Sequence, residues 1–160
     1  MSKAPPHATT LHVRDHCLCL HAQRAARALA RRFDAAFRPL GLTSGQFSLL
    51  MALNRPEPPP LGAVAGLLAM DRTTLTAALK PLERRGLVAS TDDPRDRRSR
   101  RLALTDAGGA FLAAAAEIWT EEHARLDAEL SPAAAEGLRE TARRLAEPRL
   151  SPTGPIPPAP

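Results

Sequence analysis

The chain has 160 residues, with 22 Lys and Arg against 17 Asp and Glu and a formal charge of +5. That length suits one ordinary domain that buries a core without staples, and the basic balance favours a polyanionic partner. Two cysteines, Cys17 and Cys19, are too few for a secreted disulfide scaffold, and two residues apart on one helix they are poorly placed to bridge each other. No apolar run approaches the roughly 20 residues of a membrane span, and no apolar signal-peptide core follows the N-terminal basic residue. The expectation is a cytoplasmic, mainly helical protein with no membrane association.

Residues 1–9 are polar with two prolines, and the last ten, from Ser151, contain five. Both ends read as unpacked. One long helix is predicted from Leu11 to Arg38, because Leu18, Ala22, Ala25, Leu29, Phe33 and Phe37 recur at three- and four-residue steps. Pro39 and Gly41 stop it. Thr43 and Gln46 have the spacing of a capping box, with Leu42 and Phe47 as a hydrophobic staple. They open a second helix whose buried stripe is Phe47, Leu50 and Met51, widened by Leu49 and Leu53. The run Pro56-Glu57-Pro58-Pro59-Pro60 ends it, and a short third helix places Leu61, Val64, Leu67 and Leu68 on one face.

Asp71 is an N-cap for a fourth helix in which Leu75, Ala78, Leu79 and Leu82 point inward. Thr73, Thr76, Ala77, Lys80 and Arg84 then form the outward face, and Gly86 is a natural C′ residue. Pro81 removes a helix bond, so a kink is predicted there. Leu87–Thr91 and Arg101–Leu104 read as short strands joined by a charged loop, Asp92–Arg100, too long for a tight two-residue hairpin. Thr105 and Asp106 cap a fifth helix carrying Phe111, Ala115, Ile118 and Trp119. Ser131 and Pro132 open a sixth with Leu138, Ala142 and Leu145, closed by Pro148.

Charge is distributed unevenly. Residues 71–101 hold nine basic against five acidic side chains, whereas 105–147 hold nine acidic against four basic. A short helix bracing a second one with a hydroxyl and cationic outer face, followed by a basic hairpin, is the order of a winged helix–turn–helix. The predicted fold class is therefore mainly α with a small β-hairpin wing, the winged helix–turn–helix being flanked by long helices. Thr methyls and Ala77 can lie against thymine methyl groups, and Lys80 can reach a base or a phosphate. Thr74 serves the helix cap or a phosphate.

The segment from His12 to His21 offers a second chemistry. His12, His16 and Cys19 fall at i, i+4 and i+7, and Cys17 with His21 at i and i+4, spacings that allow shared metal ligation on a helix. A neighbouring imidazolium lowers a thiol's pKa, so Cys17 and Cys19, with His16 and His21, are also candidates for effector or redox sensing. The plainer reading is that the cysteines pack as small hydrophobes. No metal site is assigned. Trp119 and Phe111 are candidates for an effector pocket or for core. Glu121, Glu122, His123 and Asp127 read as a solvated helix face. No Walker A loop, dinucleotide fingerprint, zinc-protease helix or nucleophile elbow is present, so no enzyme and no cofactor is expected. The rival assignment is a thiol-dependent oxidoreductase or a metal-binding protein built on the Cys17, Cys19 and histidine cluster.

From Leu40 to Gly108 the chain resembles the MarR family of bacterial transcription regulators. The matching pieces are Gly41-Leu42-Thr43-x-x-Gln46-Phe47, Asp71-Arg72-Thr73-Thr74-Leu75-Thr76, Leu82-Glu83-Arg84-Arg85-Gly86-Leu87-Val88 and Leu104-Thr105-x-x-Gly108. The most specific is Asp93-Pro94-Arg95-Asp96-Arg97-Arg98, the D-x-R-D-x-R wing signature. The resemblance implies a homodimer whose first, fifth and sixth helices interlock and which binds a palindromic DNA operator. A recognition helix would enter each major groove and wing arginines the flanking minor groove. It divides the chain into a disordered arm (1–10), a dimerisation helix (11–40), a winged helix–turn–helix (41–105), dimerisation helices (106–148) and a Pro-rich disordered tail (149–160). The DNA-binding residues it implies are Thr73, Thr74, Thr76, Lys80, Arg84, Arg95, Arg97 and Arg98. A repressor released by a small-molecule or oxidant effector is the expected activity. Many members carry Arg where this chain has Ala77.

Overall fold

The computed structural model describes residues 4–146 except residue 95, with the backbone alone over 96–99. The wing residue Arg95, the side chains of Arg97 and Arg98, and the tail at 149–160 lie outside the described residues. Two compact units divide the chain, Met1–Glu122 and His123–Pro160.

The predicted first helix is two helices, α1 (His7–His16) and α2 (Leu18–Phe37). Cys17 separates them in an extended conformation (φ −74°, ψ 104°) and caps α2, its sulfur accepting the amide of Leu20 at 3.4 Å. The apolar repeat runs through this break without marking it, because a cap alters the backbone of one residue and leaves the spacing intact. Residues 7–10, expected in a disordered arm, are helical. Only Phe33 and Phe37 of the α2 stripe are buried, while Leu18 is 77% exposed.

A 3₁₀ turn (Arg38–Leu40) follows, and Gly41 takes the left-handed conformation (φ +58°) that stops it. The capping box forms as expected: the Gln46 amide donates to Thr43 Oγ1 at 3.2 Å and the Thr43 amide to Gln46 Oε1 at 3.1 Å. Asp34 on α2 accepts the Ser44 amide at 2.6 Å, a second tie on the same helix start. In α3 (Ser44–Leu53), Phe47, Leu49, Leu50, Ala52 and Leu53 are buried, but Met51 is 45% exposed. Likewise α4 (Leu61–Leu67) buries Val64 and Ala65 while Leu67 stays 58% exposed. Apolar residues wider than the covered arc of a helix must end outside it.

The turn from α4 into α5 (Arg72–Arg84) is closed by two bonds, Met70 amide to the Ala65 carbonyl at 2.9 Å and Ala69 amide to that of Gly66 at 3.2 Å. Ala69 therefore sits at φ +51°, a conformation usually left to glycine. Helix α5 runs on through Pro81 to Arg84. Its far end carries the same pair of bonds, Leu87 amide to Leu82 carbonyl and Gly86 amide to Glu83 carbonyl, around Gly86 at φ +68°.

The hairpin is longer than the sequence suggested. Strands β1 (Val88–Asp93) and β2 (Asp96–Leu104) pair antiparallel from Val88↔Leu104 to Asp92↔Arg100, then shift register so that Asp93 faces Asp96. Most of the predicted nine-residue loop is strand, β1 reaching Asp93 and β2 starting at Asp96, with 97–99 taken up in a bulge. Charged, alternation-free residues carry no strand signal of their own, so only the pairing reveals them. On the other edge of β2, the Leu102 amide donates to Pro59 O at 3.0 Å and Pro60 bridges Arg101. The proline run thus both ends α3 and borders the sheet, where it can accept bonds but not donate them.

Helix α6 (Asp106–Glu129) starts on Thr105, whose hydroxyl accepts the Gly108 amide at 2.9 Å and donates to Gly86 O at 2.6 Å. Core side chains Phe37, Leu49, Leu50, Leu75, Leu82 and Leu102 are all but inaccessible. Glu122 is buried and ion-paired with Arg32 of α2, which overturns its assignment to a solvated face. In the second unit, α7 (Pro132–Ala146) is capped by Ser131, whose hydroxyl accepts the Ala134 amide at 3.2 Å. Its outer face is laced by ion pairs, including Arg143 with Glu136 at 2.6 Å, which holds the Glu136 carboxyl below the usual carboxylate range. The stripe Leu138, Ala142 and Leu145 is exposed.

Candidate nucleic-acid interface

The interface is built on α5. The Asp71 carboxylate accepts the Thr74 amide at 2.9 Å and the Thr74 hydroxyl at 2.6 Å. These bonds hold the Asp71 carboxyl below its usual pKa. Because the folded value is the lower one, the cap acts fully above the unfolded pKa and is lost as pH falls through the folded one. Thr74 is thereby committed to the cap. Leu75, Leu79 and Leu82 are buried on the opposite side, and each such side chain is worth roughly 1.5–3 kcal/mol. Rolling the helix would expose them, so Thr73, Thr76, Ala77, Lys80 and Arg84 are held outward, and all five are exposed. The Thr76 hydroxyl donates to Arg72 O at 2.7 Å, so its oxygen is left to act toward a ligand only as an acceptor. Arg72, Thr73, Thr76, Ala77 and Lys80 line a shallow groove of about 340 Å³.

The hairpin stands beside this helix, packed through β1. Among the described side chains, Arg100 and Arg101 serve the fold. Arg101 pairs with the buried Asp93 at 3.1 Å and donates to Pro58 O at 2.9 Å. Arg100 donates to Ser90 O at 3.2 Å. Asp93, at the tip end of β1, thus ties Arg101 of β2 across the hairpin through a charge-assisted bond. Residues 97 and 98 fall in the bulge at the tip.

Arg85, which sequence reasoning left without a role, braces the whole module. Its guanidinium donates to Gly41 O at 3.0 Å and Leu40 O at 3.1 Å and lies 4.6 Å from the Phe111 ring. Phe111 is therefore a brace rather than a pocket wall. Trp119, in contrast, lies over Phe47 (6.4 Å between centroids) and helps line a groove of about 490 Å³ with Met51, Leu67 and Leu68, Arg55 at its rim. The exposed Met51 and Leu67 belong to this groove, and the Arg55 rim carried no sequence signal.

The break at Cys17 dissolves the i, i+4, i+7 phase that joined His12, His16 and Cys19. His16 stacks on His12 at 4.3 Å, and its Nδ1 lies 3.0 Å from His12 O. His21 Nε2 lies 3.2 Å from Asp15 O, and the exposed Cys19 accepts from Gln23 at 3.3 Å. Among the described residues no group of three or more His, Cys, Asp or Glu is placed to hold a metal ion. Nor is any helix among them long and apolar enough to cross a membrane.

A braced recognition helix beside an arginine-bearing hairpin defines a winged helix–turn–helix protein. The MarR family model matches residues 42–99, the segment that builds this module. The chain is similar to the Mycobacterium tuberculosis transcriptional regulator MosR, solved in complex with DNA (33% identity, 82% of this chain and 94% of that one, TM-score 0.74). It is also similar to the transcriptional repressor CouR bound to a 23-mer DNA duplex (30% identity, 91% and 99%, TM-score 0.75). The transcriptional activatory protein BadR of Rhodopseudomonas palustris is 36% identical over 88 residues, 53% of this chain and half the length of BadR. The chain belongs to the MarR family.

Proposed function

We propose that this protein is a dimeric, DNA-binding transcription regulator that acts as a repressor, with double-stranded operator DNA as its partner. The observation that carries this reading is the outward face of α5, fixed by three buried leucines beside a hairpin with the D-x-R-D-x-R signature. We assign Thr73, Thr76, Lys80 and Arg84 to the major groove, and Arg95, Arg97 and Arg98 to the wing's contacts with DNA. Exposed apolar side chains on both units, Leu11, Val13 and Leu18 on one and Leu138 and Leu145 on the other, support a second copy as their cover. Half-sites would then lie about one helical turn apart in a palindrome. A regulator of this kind is not an enzyme and works in the cytoplasm.

The groove under Trp119 is the site we assign to a small-molecule effector, since its walls are apolar and it lies between α3, α4 and α6. An oxidant arm rests on Cys17 and Cys19, with His16 and His21 nearby in sequence. Reversible loss of DNA affinity under peroxide, abolished by Cys17→Ser or Cys19→Ser, is its expected signature, and unchanged affinity leaves Cys17 as the cap of α2 and the exposed Cys19 with no sensing role. The thiol-oxidoreductase and metal-binding alternatives are not favoured.

The test is binding to the duplex upstream of the protein's own gene, titrated with salt. Two protomers should bind one duplex, with affinity falling steeply as salt rises. A narrow minor groove attracts an inserted guanidinium, and Arg98 is our candidate for it. Arg98→Ala should weaken binding by about 1–3 kcal/mol with helicity and dimer intact. Arg98→Lys should restore part of it, because lysine keeps the charge without the planar fork. Wild-type affinity in Arg98→Ala would reject the wing contact, and absence of any DNA binding would reject the regulator.

A further inference from the structure

We propose that Arg72 is a backbone-phosphate clamp at the junction of α4 and α5, its guanidinium lying over Gly62, where a larger side chain would displace it. Sequence reasoning passed over this residue because it occupies the first position of α5, on the flank between the buried leucines and the outward threonines. Its guanidinium makes no hydrogen bond or ion pair with the described residues, although Arg85, Arg100 and Arg101 in the same module are all engaged by the fold. A cation left free beside an interface is available to the ligand.

Its position indicates which part of the DNA it meets. A Cβ placed on Gly62 would stand 3.3 Å from Arg72 Nη2, so the guanidinium lies across the first turn of α4. Arg72 also borders the shallow groove with Thr73, Thr76, Ala77 and Lys80, so the same side chain edges the recognition face. In a helix–turn–helix the first helix crosses the sugar–phosphate backbone while the second enters the groove. A guanidinium resting on the first helix at the start of the second therefore lies at the groove wall, where its planar fork matches two phosphate oxygens. The Thr76 hydroxyl, bonded to Arg72 O, fixes the backbone from which the side chain projects. The contact would set how deeply and in which register α5 enters the groove, without itself reading sequence.

The inference rests on the DNA-binding reading above. Its test uses the full-length protein and a duplex that the wild type enriches from a random-sequence pool. Arg72→Ala should lower affinity roughly tenfold or more on every duplex tested. It should also flatten the salt dependence by about two units of slope, one for each protomer. Arg72→Lys should keep the slope. Gly62→Leu fills the space beneath the guanidinium while favouring the helix. It should weaken the wild type but cost nothing further in the Arg72→Ala background. Circular dichroism and sedimentation establish that each variant is folded and assembled as the wild type is. An unchanged salt slope in Arg72→Ala overturns the clamp, and a loss confined to one base pair overturns it in favour of base reading. Additive effects of the two substitutions overturn the role given to Gly62. A wild type that enriches no DNA overturns the regulator reading instead.

Discussion

Gly108→Ala is expected to destabilise the protein by about 3 kcal/mol or more, toward the upper end of what over-packing costs. A Cβ at Gly108 would stand 2.0 Å from Leu87 O and 2.9 Å from Leu87 C. Those are backbone atoms, which cannot swing aside as a side chain can. The same Leu87 carbonyl accepts the Thr105 amide at 3.1 Å, and Thr105 in turn caps α6 through the Gly108 amide. Pushing α6 away would therefore loosen the start of the helix and its seat against the hairpin together. Gly109→Ala is the matched control, since nothing lies within 4 Å of a Cβ there. Alanine favours the helix, so this neighbour should gain about 0.5–1 kcal/mol. Chemical denaturation of the two variants checks both signs, and equal effects at 108 and 109 would remove close approach as the reason for the glycine.

The second large effect is expected at Glu122. Its side chain is 11% exposed and its ion-pair partner Arg32 24%, so the carboxylate is the more completely desolvated of the two. Removing one member of a buried pair typically costs about 3–5 kcal/mol, and the residual access of Arg32 to water places Glu122→Leu near the lower figure. Replacing both, as in Arg32→Met with Glu122→Leu, should recover most of the loss, because apolar groups of similar size need no desolvation. A denaturation series on the two single variants and the double variant measures the coupling. Strict additivity would mean that the pair contributes no mutual energy. Since the pair joins α2 to α6, the double variant also separates stability from assembly, which sedimentation reads directly.

Much of this molecule is legible along the chain because its signals are local. The Thr43–Gln46 capping box, the Asp71 cap, the Gly86 stop and the inward spacing of Leu75, Leu79 and Leu82 each depend on residues within one or two turns. The orientation of α5, and with it the face we propose for DNA, follows from them. What the sequence could not decide involves partners far away in the chain. Glu122 looks like one acid among several until Arg32, ninety residues earlier, covers it. Charged residues 92–100 look like a loop until pairing with β1 makes most of them strand, since ladder bonds use the backbone and leave no mark on side-chain pattern. The requirement for glycine at 108 appears only when Leu87 arrives against it, and Arg72 becomes a candidate contact only once Gly62 lies beneath it. Local chemistry determined the helices and their faces, whereas proximity created by the tertiary fold decided which charges are buried, which are engaged and which remain free for a ligand.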